Sequence, residues 1–100
     1  MILNESRRAF VLGHLMHDWY VYIAETESGQ FYTGISNNVT KRIEKHNTGR
    51  GSKYARMHGH FKLVYTSEPL TKSDALKREI QIKSWSHAQK EKLIRGNWFS

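Results

Sequence analysis

The 100-residue sequence predicts an α+β domain, α/β in the broad sense: a small three-stranded, mostly antiparallel sheet flanked by helices. Three observations predict it. Two aromatic and β-branched runs, Trp19-Tyr20-Val21-Tyr22-Ile23 and Gln30-Phe31-Tyr32-Thr33-Gly34, are separated by the turn signal Ser28-Gly29. A third such run, Phe61-Lys62-Leu63-Val64-Tyr65-Thr66, stands further on and ends before Pro69. Helix-capping residues precede three other segments, at Asn37 or Asn38, at Thr71 and at Ser86. The expected order is β-β-α-β-α-α after an N-terminal extension.

Residues 4–16 are compatible with a short helix capped by Asn4 or Ser6, with Phe10, Val11, Leu12, Leu15 and Met16 as its apolar side. A loosely held extension is the alternative. The first two strands are expected to pair as a hairpin, with the loop near residues 25–29. A helix over 39–46 follows, with Val39 and Ile43 on one side. Asn47-Thr48-Gly49-Arg50-Gly51-Ser52 is expected to be a basic, flexible loop. Thr71-Lys72-Ser73-Asp74 resembles a capping box and opens a helix over about 72–84, with Ala75, Leu76 and Ile80 on its buried side. Ser86-His87-Ala88-Gln89 opens a last helix over about 87–95. The expected organisation is an extension or short helix over 1–17, one domain over 18–95 and a tail over 96–100.

Charge points to the partner. Sixteen Lys and Arg against nine Asp and Glu give a formal net charge of +7. Such a surface favours a polyanion: nucleic acid first, an anionic membrane surface second. Cysteine is absent, which excludes disulfides and thiolate zinc sites within the chain. No apolar run approaches the roughly 20 residues that cross a bilayer. The expected location is the cytoplasm, away from any membrane.

Four groups of residues have chemical potential. Arg42 and His46 are four residues apart on the predicted helix and share a face. A guanidinium there can grip a phosphate through two parallel hydrogen bonds, and an imidazole can donate a hydrogen bond or move a proton near neutral pH. The plain alternative is a basic helix surface. Glu79 lies on the buried margin of its helix, where a carboxylate needs a cation or a partner. A hard cation such as Mg²⁺ suits it, and an ion pair to Lys83, Lys77 or Arg78 is the alternative. Tyr22 and Tyr32 stand in the hairpin, each with a polar tip that can reach a cleft or simply meet solvent. Arg50, Lys53, Tyr54 and Arg56 alternate basic and aromatic side chains in the loop, which suits a nucleic-acid strand through phosphate neutralisation and base stacking.

Taken together these residues resemble the GIY-YIG nuclease family. The half-motifs stand as Tyr20-Val21-Tyr22 and Tyr32-Thr33-Gly34, followed in order by Arg42, His46 and Glu79. Lys45-His46-Asn47 and Lys53-Tyr54-Ala55-Arg56 are similar to the small bacterial single-domain members, the YhbQ/URI-like group. Tyr20 replaces the usual first glycine, and the late asparagine of many members has only Asn97 as a counterpart. The resemblance implies a metal-dependent endonuclease that hydrolyses phosphodiester bonds of DNA with low sequence specificity or structure selectivity, in repair or recombination. RNA stays open as a substrate. It implies one divalent cation, Mg²⁺ or Mn²⁺, held by Glu79, and a protein partner that supplies specificity. It further implies that Tyr22 accepts the proton of the attacking water with support from Tyr32, and that Arg42 stabilises the phosphate charge. Nearby positive charge and His46 would lower the tyrosine pKa for that task. A non-catalytic nucleic-acid-binding module on the same fold is the main alternative, and an assembly protein whose basic face meets RNA or protein is another.

Overall fold

The computed structural model describes residues 16–48 and 59–96. The predicted helix over 4–16 and the tail beyond residue 96 lie outside that description, apart from Met16. Strands β1 (Tyr20–Glu25) and β2 (Phe31–Ser36) form the hairpin, helix α1 (Val39–Asn47) follows, then β3 (Lys62–Thr66), α2 (Lys72–Lys83) and α3 (His87–Ile94). This is the predicted order. The sheet is antiparallel throughout, with β1 in the middle between β2 and β3.

Alternation along β1 sorts the core into two layers. Val21 and Ile23 point to one face and join Leu70, Ala75 and Ile82 beneath α2 and α3. Tyr22 and Ala24 point to the other and join Val39 and Phe61 beneath α1. Both faces of the central strand are thus covered, and Val21, Tyr22, Ile23 and Ala24 are all buried.

The capping residues act as expected. Asn38 Oδ1 accepts the Lys41 N–H at 3.0 Å, and Thr71 Oγ1 accepts the Asp74 N–H at 3.1 Å. Ser86 and Gln89 form a complete capping box, each side chain accepting the other's backbone N–H.

Boundaries differ in three informative places. Trp19 makes only an isolated antiparallel bridge with Leu70, outside β1. Phe61 stands just before β3 rather than in it. Asn47 completes the last turn of α1 instead of opening a loop. The predicted buried side of α2 is a larger correction. Ala75 and Ile82 are buried, whereas Leu76 and Ile80 are 42% and 69% exposed. Ala75 and Ile82, seven residues apart, meet Val21 and Ile23 of the sheet, and Leu76 and Ile80 turn away from it.

Candidate active site

A pocket of about 170 Å³ opens on the α1 side of the sheet, lined by Tyr22, Tyr32, Arg42, Ile43, His46 and Phe61. Its construction follows from strand and helix periodicity. Tyr22 lies opposite Gly34, and Tyr32 opposite Ala24, so both tyrosines stand on the face toward α1. Val39 and Ile43 seat α1 on that face. Arg42 and His46, one turn apart, then lean over the same opening.

Gly34 is required by this geometry. A Cβ at position 34 would stand 2.7 Å from the Tyr22 hydroxyl oxygen and 2.8 Å from Cζ of the ring. The Tyr22 ring therefore crosses the bare backbone of its cross-strand neighbour. It has no room to retreat, because Tyr22 is only 2% exposed.

A run of rings walls the pocket. Tyr22 and Tyr32 have centroids 6.2 Å apart at 39°. Tyr32 stacks on Phe61 at 5.2 Å, and the His46 imidazole stacks on Phe61 at 3.6 Å and 7°. The near-parallel His46–Phe61 contact fixes the plane of the imidazole.

The electrostatics correct one expectation. Burial raises the Tyr22 pKa above the ordinary phenol value, and Tyr32 adds to the rise. Arg42 opposes it through its charge and a hydrogen bond, while Glu79 adds to it. Positive charge at the site therefore does not prevail over desolvation, and Tyr22 is a neutral phenol at pH 7. Burial also lowers the His46 pKa, opposed by a hydrogen bond with the Gly59 backbone; His60 and Arg42 lower it further. His46 is thus a neutral imidazole near pH 7.

Arg42 differs from Arg78, a guanidinium that lines another cleft. A second cavity, about 400 Å³, lies on the opposite side of the sheet with Tyr65, Arg78, Trp85 and Leu93 among its walls. There Arg78 is paired with Glu68 at 2.6 Å. Among the described residues no carboxylate forms an ion pair with Arg42. An anion entering the first pocket meets a guanidinium not already neutralised.

Glu79 is on α2 and does not line the pocket wall. It is close enough for its charge to act on Tyr22. Its side chain is 18% exposed, and Lys83 Nζ lies 3.7 Å away, so the ion pair considered from the sequence exists. At that length, from a half-exposed lysine, it leaves most of the carboxylate's hydrogen-bonding capacity open. No group of three His, Cys, Asp or Glu side chains suited to a metal occurs among the described residues. A hard cation that keeps its waters and takes phosphate oxygens fits a single carboxylate; a zinc ion that needs a full protein ligand set does not.

Four of the five predicted catalytic positions, Tyr22, Tyr32, Arg42 and His46, thus share one pocket, with Glu79 coupled to it from α2. The predicted nucleic-acid contacts Arg50, Lys53, Tyr54 and Arg56 lie outside the described residues, as does Asn97. Phe61 also lines the pocket, a place not read from the sequence. Phe61 looked like an ordinary strand residue, and only its nearness to His46 across the fold reveals its role.

Comparisons with known proteins agree with this geometry. Residues 18–92 match the family described as the GIY-YIG catalytic domain. UPF0213 protein SSP2268 of Staphylococcus saprophyticus is 46% identical over 79 residues, covering 79% of this chain and 96% of that protein. A UPF0213 protein of Staphylococcus aureus is 42% identical over 80 residues, covering 80% and 98%. Among solved structures, the solution NMR structure of UPF0213 protein BH0048 from Bacillus halodurans is 40% identical with a TM-score of 0.51, covering 81% of this chain and 86% of that one. The NMR structure of EF2693 from E. faecalis is 30% identical with a TM-score of 0.54, covering 77% and 82%. No helix among the described residues is long and apolar enough to cross a membrane.

Proposed function

Because the chain belongs to the GIY-YIG catalytic-domain family, we propose that it is an endonuclease that hydrolyses phosphodiester bonds of DNA with one divalent cation. The observation that carries this reading is the shared pocket: two tyrosines, an imidazole and a guanidinium with no ion pair among the described residues surround one opening, and the charge of Glu79 acts on Tyr22 from α2. A binding-only module has no need to gather two tyrosines and an imidazole around the place where Arg42 would grip a phosphate.

The roles follow from the charge states. Arg42 binds non-bridging phosphate oxygens and stabilises the charge that grows on them as water attacks phosphorus. The neutral Tyr22 hydroxyl, with Tyr32 beside it, holds and orients the water. A buried phenol is a poor proton acceptor at pH 7. His46, a neutral imidazole that lines the same pocket, is the group assigned to take the water's proton. Glu79 would hold Mg²⁺ or Mn²⁺, which would lower the cost of charge on the leaving oxygen. Tyr22, Tyr32, Arg42, His46 and Glu79 are the residues assigned to the reaction. Arg50, Lys53, Tyr54 and Arg56 are assigned to the bound strand, on charge and sequence alone. We place the enzyme in the cytoplasm, acting in DNA repair or recombination with a protein partner for specificity.

The test is a panel of labelled linear, flapped, forked and four-way DNAs and an RNA hairpin, with Mg²⁺, Mn²⁺ or EDTA. Metal-dependent cutting of at least one branched or flapped DNA is expected, with little dependence on sequence. Binding without cutting under every condition would favour the binding module.

A further inference from the structure

Phe61 is 6% exposed and stands one residue outside the β3 ladder, whose first pair is Glu25 with Lys62. Its backbone groups need partners, because a buried N–H or C=O left unsatisfied is costly. Asn47 supplies both. Its Oδ1 accepts the Phe61 N–H at 2.7 Å, and its Nδ2 donates to the Phe61 carbonyl at 2.9 Å. The carboxamide thus imitates one residue of a neighbouring strand. Asn47 is also the residue after His46, in the last turn of α1, and the His46 ring lies flat on the Phe61 ring. One side chain therefore ties the end of α1 to the ring that carries the imidazole.

We infer that Asn47 is a positioning residue of the pocket: its paired hydrogen bonds to the Phe61 backbone hold the Phe61 ring as the platform on which His46 is oriented. The clamp acts on Phe61 and through it on His46 and Tyr32, both stacked on that ring. The consequence for cleavage rests on the nuclease reading above; the consequence for the His46 ring does not.

The chemistry dictates the variants. Asn47→Asp preserves shape and the acceptor for the Phe61 N–H, but replaces the donor to the Phe61 carbonyl with a repelling oxygen. Phe61→Leu keeps an apolar side chain and both backbone bonds while removing the platform. Ile82→Val loosens the opposite core layer and serves as the control for general destabilisation. In the unmodified protein, NMR is expected to show slow solvent exchange of the Asn47 side-chain NH₂ and an upfield ring-current displacement of the His46 imidazole protons. Asn47→Asp and Phe61→Leu are each expected to lose that displacement, and Ile82→Val to keep it. In single-turnover cleavage the first two should slow the chemical step, on the order of tenfold, with DNA affinity within about twofold, because a small misplacement of a reacting group acts on rate more than on binding. His46 resonances unmoved in folded Asn47→Asp, or fast exchange of the Asn47 NH₂ in the unmodified protein, would overturn the inference. If the unmodified protein cuts no nucleic acid, the nuclease reading fails while the NMR results still decide the role of Asn47.

Discussion

Arg42→Ala is expected to lower the single-turnover cleavage rate by about 10²–10³-fold, the range found when a donor aimed at developing oxyanion charge is removed. Two effects act together. The phosphate loses a pocket guanidinium that no carboxylate among the described residues neutralises. Tyr22 also loses the charge and the hydrogen bond that oppose its raised pKa, so its hydroxyl loses a partner that holds it in place. Arg42 is exposed, so the fold should melt within a few degrees of the unmodified protein. Arg42→Lys restores charge without the planar pair of donors and should recover only part of the rate. Measuring rate and melting temperature on the same samples separates loss of chemistry from loss of fold.

Gly34→Ala is expected to damage activity and stability together. The added methyl would stand 2.7 Å from the Tyr22 hydroxyl oxygen, well inside contact distance. Tyr22 is buried among Ala24, Val39 and Phe61, so the ring cannot swing aside without moving the layer beneath α1. Overpacking of this kind costs about 1–3 kcal/mol. The hydroxyl assigned above to orient the water is displaced at the same time. Thermal or urea unfolding and single-turnover cleavage check the two halves, and a variant with unmodified stability and rate would show that the ring has another place to go. Gly29→Ala is a useful contrast: its φ of 85° penalises any side chain, but nothing lies within 4 Å of the new atom. It should lower stability and leave the cleavage rate unchanged.

The sequence made the layout of the site legible because periodicity reports faces. Arg42 and His46 were paired by their spacing alone, and the structure puts both at one opening. The tyrosines were legible as hairpin residues, and strand register places both on the α1 face. Glu79 was assigned to the buried margin of α2 on the strength of Leu76 and Ile80, yet both turn to solvent. Ala75 was read correctly as buried, but its true companion is Ile82, and hydrophobicity could not show this because Leu76 and Ile80 are strong but misleading markers. Asn47 looked like loop because asparagine favours loops; its pairing with Phe61, 14 positions away, is a tertiary fact. The direction of the Tyr22 shift was misjudged for a related reason. Charges can be counted in a sequence, but burial, which here outweighs Arg42, depends on the layers that pack around the ring.

Glu79→Gln keeps the size of the side chain and removes its charge, so it bears most directly on the claim that α2 and the pocket form one metal-dependent catalytic centre. The measurement is cleavage of the best DNA from the panel by the unmodified protein and by Glu79→Gln, each with Mn²⁺ and with EDTA, beside circular dichroism of both. The unmodified protein should cut only with Mn²⁺, and folded Glu79→Gln should fall to the metal-free background. Cutting by Glu79→Gln at the unmodified rate, or cutting by the unmodified protein in EDTA, would contradict it.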